Sequence, residues 1–249
     1  AYEIVSRDWS SDVCSSDLSA RRGHASTSDF SRAALESTVA AAAAIARKTA
    51  VDDCAGPPEP DQLASGAQLA DLDLFHPWPV GTEEAIRLAR RMERAAFALS
   101  PRVTNSEGAM VSAQHSHFVL ANSLGFLQGY PTSRHMLSLA VIAEDRGLMQ
   151  RDDWYCSARD PGLLPGPEAI GDYAGRRALV RLNGRKIATC QAPVLFEAPV
   201  ACGLVGSFVA AASGANLYRK SSFLLDALGR EVFPKGFDID ERPLRSEEH

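Results

Sequence analysis

The chain has 249 residues, of which 45% are hydrophobic and 23% charged, and its formal net charge is -5. This length suits one large domain or two smaller ones, and the acidic balance gives no electrostatic case for nucleic-acid binding. No apolar run is long enough to span a membrane, because the most apolar stretch, Ala192 to Ala212, is broken by Pro193, Glu197, Pro199 and Ser207.

The two ends read unlike the rest. Within Ala1 to Leu18, the string DWSSDVCSSDL back-translates to a short-read sequencing adapter, and the final RSEEH fits the complement of the same adapter. Residues 1–18 and 245–249 are therefore expected to be adapter artefact, and Ser19 to Leu244 a fragment of a longer gene. The first segment has one arginine against four acids and the last has Arg245 against Glu247 and Glu248. Setting both aside leaves a nearly neutral chain. It also removes Cys14, leaving Cys54, Cys156, Cys190 and Cys202, which are scattered and form no CxxC pair. That usage fits a reducing cytoplasm and excludes a disulfide scaffold.

In chain order, Arg22 to Phe30 reads as a short polar strand leading to a helix capped by Ser31. The helix spans Ser31 to Lys48, with Leu35, Val39 and Ile45 as its apolar face. Asp52 to Asp61 is a Pro-rich acidic loop, and Asp71 to Val80 an irregular stretch broken by prolines. Thr82 is expected to cap a second helix, with Glu83 and Glu84 in its first turn and Ile86, Ala89, Ala96 and Leu99 facing inward. From Val103 to Arg159, NSEG, NSLG and EDRG punctuate apolar runs, which predicts an antiparallel meander. A third helix covers Glu168 to Leu182, with Ile170, Tyr173, Ala174 and Leu179 as its apolar set. Ala192 to Glu197 (APVLFE) reads as a short strand. Pro199 opens a helix that runs to Ala212 and that Gly214 ends. The fold class is α+β: helices, then an antiparallel β-meander, then the start of a C-terminal α+β domain.

The chemistry-bearing residues form few patterns. The histidines of the biological segment are His24, His76, His115, His117 and His135, and none lies in HExxH or HExxxH. His115 and His117 alternate on a predicted strand and share a face, but no third metal ligand is near, so they read as polar residues on an open sheet face. His76 reads as a loop packing residue. There is no GxSxG, no GxGxxG and no phosphate loop. Cys202 lies near a helix start among small apolar residues and reads as a buried, inert thiol. The acid pairs Asp52–Asp53, Glu83–Glu84, Glu144–Asp145 and Asp152–Asp153 mark turns and helix starts. The cluster Tyr218 to Ser222 (YRKSS) suits capping better than anion binding.

Several segments, in order, carry a resemblance. They are ASTSDFS (25–31), DDCAGPPEP (52–60), DLDLFHPW (71–78), RVTNSEGA (102–109) and ANSLGFLQGYPTSRHMLSLAVIAE (121–144). After them come MQRDDWY (149–155), APVLFEAPVACGLVGSFVAA (192–211) and LYRKSSFLLDALG (217–229). Together they resemble the TldD/PmbA family, in its PmbA (TldE) branch. The resemblance implies three portions: residues 19–60 as the end of an N-terminal domain, 61–190 as a central domain and 191–244 as the start of a C-terminal one. It also implies a cytoplasmic, two-subunit zinc metalloprotease that trims small or unfolded peptides. Its TldD-type subunit carries HExxxH, with two histidines on zinc and the glutamate as general base. Older descriptions of the family link it to modulation of DNA gyrase.

Laid over this chain, the HExxxH window falls on Gly203, Leu204 and Phe208, none of which can bind zinc or act as a base. The resemblance thus implies a non-catalytic subunit: no catalytic or metal residue here, no cofactor in this chain, and zinc in a TldD-type partner. The other expected partner is a peptide substrate, with neither nucleic acid nor membrane. Two other readings stay open at the level of sequence. One is an autonomous metallopeptidase using His115 and His117, and the other a regulatory binding protein acting on a topoisomerase.

Overall fold

The computed structural model describes residues 20–52, 56, 59–65 and 71–242, together with the backbone of residues 12–17. The described residues up to Gly184 form one compact unit and those from Arg185 on form another. The expected limit between the central and C-terminal portions, 190/191, lies a little beyond that division.

The first unit begins with a two-stranded antiparallel pair, β1 (Asp12–Asp17) and β2 (Arg22–Thr27). β1 lies inside the segment set aside as adapter. Its pairing is a main-chain ladder, which asks little of side chains and carries no information about the origin of residues 1–18. Helix α1 (Arg32–Ala46) follows, and the hydroxyl of Ser31 accepts from the Ala34 amide as the expected N-cap. Its buried face is not the expected one. Thr38, Ala42 and Ala46 are buried, whereas Val39 and Ile45 are exposed. Small residues win because β2 runs against the helix backbone: a Cβ on Gly23 would sit 2.0 Å from the Ala42 carbonyl oxygen. Beyond α1, the Thr49 hydroxyl donates to the Arg22 carbonyl, and the Asp52 amide to the Ala20 carbonyl.

The centre of the unit is a three-stranded antiparallel sheet in the order β3-β4-β5, with β3 at Val103–Ala121, β4 at Leu127–Asp145 and β5 at Leu148–Ala158. The expected meander is present. NSLG makes the β3–β4 turn: Asn122 Oδ1 accepts from the Leu124 and Phe126 amides, and Gly125 has φ +84°. EDRG makes a tight β4–β5 turn, with Arg146 and Gly147 at φ +53° and +77°. NSEG is not a turn. It is an irregular stretch inside β3, where the register shifts between Ser106 and Gly108 and Gly108 has φ +127°.

Two helices cover one face of the sheet. Helix α2 (Thr82–Leu99) starts from Gly81, so Thr82 is its first residue and not its cap. Its inward side is Leu88, Ala89, Met92 and Ala96, while Ile86 and Leu99 are half-buried. Helix α3 (Pro167–Val180) buries Ile170, Ala174 and Ala178 and leaves Tyr173 exposed. Tyr173 instead packs on Trp154 with ring centroids 4.3 Å apart. The core joins Met92, Ala96, Leu137, Leu139, Val141 and Ile170 among others. Asp152 of β5 bridges to Arg177 of α3 and to Arg181, the residue that caps its C-terminus. Burial pushes the Asp152 carboxyl up, but the Asp153 amide and the two guanidiniums outweigh it and hold the group below the usual carboxylate range.

The second unit holds α4 (Ala198–Ala212) and the short α5 (Gly214–Tyr218). Residues 192–197 are coil, not the expected strand, because no described strand of that unit lies beside them to complete a ladder. Ser213, not Gly214, closes α4, with an extended backbone that makes it the N-cap of α5. The Arg219 and Lys220 amides close α5, and the Ser222 hydroxyl donates to the Ala211 carbonyl, so the YRKSS cluster caps helices. No helix of the described residues is long and apolar enough to cross a membrane.

The α2–α3 crossing depends on a missing side chain. A Cβ on Gly171 would lie 2.1 Å from the Met92 carbonyl oxygen. Gly171→Ala is expected to lower unfolding stability by about 1–3 kcal/mol, read from the urea midpoint. An unchanged midpoint would mean that the two helices are not packed this closely.

Candidate functional site

The alternation of β4 sets up a site at one end of the sheet. Ser133, His135, Leu137, Leu139, Val141 and Ala143 share its buried face. The last four meet α2 and α3. Ser133 and His135 are just as buried, at 1% and 0% exposure, but they are polar and need partners.

Residues 71–80 supply them. This segment was expected to be irregular, and it does belong to no regular element. It is nonetheless extended, with Leu72, Leu74, His76, Trp78 and Val80 half-buried and the intervening residues exposed. It lies as a strap on the polar end of the sheet. The Ser133 amide donates to the Leu74 carbonyl at 2.9 Å, and the Ser133 hydroxyl accepts from the His76 amide at 2.9 Å while donating to the Arg159 carbonyl at 2.9 Å. His135 Nε2 donates to the His76 carbonyl at 2.8 Å. His115 Nε2 accepts from the Trp78 amide at 3.1 Å. The rings of Phe75 and His115, Trp78 and His135, and His115 and His135 meet edge to face at 5.5–5.6 Å.

β5 ends at Ala158, opposite His135, so among the described strands β4 has β3 as its only ladder partner from Leu127 to Arg134. Pro131 is tolerated there for that reason. From His117, opposite Pro131, outward the strands of the β3–β4 hairpin are exposed on both faces. At its base, an open pocket of about 310 Å³ is lined by Leu74, Gln114, Ser116, Thr132, Arg134 and Arg159 among others, with no acid among the described lining residues. Arg159 donates to the Thr132 hydroxyl and Arg134 to the Ser157 hydroxyl at 3.1 Å. Hydroxyls, an amide and guanidiniums can hold polar or anionic groups of a peptide. They supply no nucleophile with an adjacent base.

The expected site residues separate. His115 belongs to the strap contacts, while His117, two residues on, is exposed opposite Pro131. His76 packs through its backbone, as expected of a loop residue, and its ring donates to the Asp73 carbonyl at 2.9 Å. His24 is exposed on β2. His135 was not singled out by its neighbours in sequence. The signal that finds it is the period-two pattern of SRHMLSLAVIA, which puts it on the same face as Leu137 and Leu139. Cys54 lies outside the described residues, and Cys202, expected to be buried, is exposed on α4, which buries none of its residues.

In the second unit, Gly203, Leu204 and Phe208 lie on α4. Leu204 is 54% exposed, and Phe208 packs on Phe233 with centroids 4.8 Å apart. A glycine, a leucine and a phenylalanine offer zinc no donor atom, so this window does not fit the metal that a metallopeptidase helix would hold. Among the described residues no group of three His, Cys, Asp or Glu side chains could hold a metal ion.

Comparison with known proteins places these elements. Residues 75–182 match the PmbA/TldA metallopeptidase central domain, and residues 189–249 match the C-terminal domain of the same family. The chain is 47% identical over 223 residues to Metalloprotease PmbA of Escherichia coli O157:H7, covering 90% of this chain and 49% of that protein. It is 41% identical over 223 residues to a Metalloprotease PmbA homolog of Haemophilus influenzae, again covering 90% and 49%. The chain thus spans about half the length of the curated relatives it matches. Among solved structures, a Bacteroides thetaiotaomicron protein described as a candidate modulator of DNA gyrase superposes with a TM-score of 0.78 at 21% identity, over 87% of this chain and 49% of that one. TldE from Thermococcus kodakarensis superposes with a TM-score of 0.57 at 14% identity, over 86% and 47%. At these identities the two structures speak for the fold alone.

Ser133→Ala removes the acceptor of the His76 amide and the donor to Arg159. It is expected to cost about 1–3 kcal/mol of stability in urea unfolding. Ser116→Ala, on the exposed hairpin, is expected to stay within about 0.5 kcal/mol. Equal effects of the two substitutions would show that the hydroxyl does not hold the strap.

Proposed function

The chain belongs to the TldD/PmbA metallopeptidase family, and from that membership we propose that it is part of a non-catalytic, PmbA/TldE-type subunit of a cytoplasmic peptide-processing protease. The observation that carries this reading is the chemistry of α4. Where the family resemblance puts HExxxH, this helix has Gly203, Leu204 and Phe208. None of these can ligate zinc or move a proton, so the hydrolytic centre comes from a TldD-type partner in a heterodimer.

The role left to this chain is to shape the peptide-binding surface. β3 and β5 are the two edges of the central sheet. An edge strand offers unpaired amides and carbonyls to an extended peptide, which adds as a further strand. Such recognition reads backbone more than side chains, and this suits a protease acting on unfolded peptides. The polar pocket beside the strap adds guanidinium and hydroxyl donors at the base of the same sheet.

Co-expression with a TldD-type chain tests the proposal. Hydrolysis of an unfolded peptide is expected from the two chains together and from neither alone. Two outcomes overturn the reading. One is an inactive mixture of the full-length partners. The other is chelator-sensitive hydrolysis by this chain alone, lost when His115 and His117 are both changed to alanine.

A further inference from the structure

We propose that residues 71–80 form a histidine-latched strap, closed on the polar end of the central sheet while His115 and His135 are neutral and released when His115 takes a second proton. The inference concerns this chain alone and holds whatever partner it has.

Hydrogen-bond roles fix the protonation states. His115 Nε2 accepts the Trp78 amide, so that nitrogen carries a lone pair and the ring proton sits on Nδ1. A proton added to Nε2 turns the acceptor into a donor, and two N–H groups then face each other 3.1 Å apart. His115 is exposed to solvent and open to that proton. His135 has the opposite tautomer: Nε2 donates to the His76 carbonyl, which leaves the lone pair on Nδ1. That Nδ1 is buried without a hydrogen-bond partner, so no acceptor waits there for a second proton. His135 is therefore a neutral clamp, and His115 is the ring at which an added proton breaks a bond to the strap.

The surroundings oppose charge on His135. Burial pushes its pKa below the ordinary histidine value, the His76 carbonyl works against that shift, and the nearby His115 and His76 rings reinforce it. Asp160, beyond the end of β5, favours the charged form but already accepts from the Gly162 amide. On the strap, Asp73 faces the His76 ring at 3.7 Å. Arg134 adjoins His135 on β4, and Arg159 follows Ala158, the partner of His135 on β5. A histidine held below its ordinary value stabilises the folded state fully above that value, near pH 6.5, and the contribution is lost as pH falls through the lowered one. Acid thus opposes the closed strap at His135, and a proton on His115 Nε2 opposes it by removing the acceptor of the Trp78 amide.

Release has local consequences. It frees the Ser133 amide, now bonded to the Leu74 carbonyl, on the stretch of β4 that β5 does not reach. It also takes Leu74 from the wall of the pocket and uncovers Trp78.

Amide hydrogen exchange with imidazole nitrogen NMR tests the latch on the whole chain. At neutral pH the spectra are expected to show the Nδ1–H tautomer for His115 and the Nε2–H tautomer for His135. Between pH 7.5 and 5, protection at His76, Trp78 and Ser133 is expected to fall about tenfold or more, while Leu139 and Val141 keep theirs. In His115→Gln the side-chain oxygen accepts at either pH, so the fall should be abolished or much reduced. An Nε2–H tautomer at His115, protection at the three amides that does not change with pH, or an undiminished fall in His115→Gln would each overturn the proposal.

Discussion

One face of one strand organises the first unit. On β4, side chains alternate strictly, so the position of Leu139 in the core also fixes where Ser133 and His135 point. A slip of one residue would turn all six of these side chains outward together. The face is apolar for four positions and polar for two, and each part calls for a different cover. Leu137 to Ala143 meet the apolar sides of α2 and α3. Ser133 and His135 cannot be buried under apolar side chains without losing hydrogen bonds, each a cost comparable to a large core mutation. They are buried under backbone instead. The strap brings carbonyls and amides at Leu74, His76 and Trp78, spaced two residues apart to match the pleat.

Much of this was legible in the sequence where a local rule acts alone. Ser31 caps its helix, Asn122 and Gly125 make a turn, and Arg146-Gly147 closes a hairpin, because each depends on residues within a few positions. Failures came where a distant contact overrode the local signal. Val39 and Ile45 are apolar, yet the face of α1 that touches β2 is chosen by how closely Gly23 allows the backbones to approach. NSEG has turn residues, but the ladder to β4 continues past it and absorbs it as a bulge. APVLFE has strand composition, and composition alone supplies no partner. Gly214 is a good helix stop, but the extended conformation of Ser213 acts one residue earlier. His135 was readable in principle from the period of its strand. Its covering by residues 74–78, nearly sixty positions away, was not.

The two units inform the functional reading in different ways. The first provides a sheet with open edges and a polar end, the kind of surface that binds extended chain. The second provides a helix on which Gly203, Leu204 and Phe208 offer no donor to a metal. Family membership joins the two, and the donor chemistry of α4 is what supports the proposed non-catalytic role. Around Gly203 and Leu204 the helix carries a serine, an alanine and two valines, and Cys202 is its single thiol, which falls short of a metal-binding set.

The most direct test of this account is a measurement of bound metal. The chain is expressed with zinc, dialysed against metal-free buffer, and its zinc content per chain determined. The account predicts no stoichiometric zinc, because Cys202 is the single metal-binding side chain on α4 and no group of three His, Cys, Asp or Glu side chains gathers among the described residues. One zinc retained per chain would contradict it, and would mean that this chain carries a metal centre of its own.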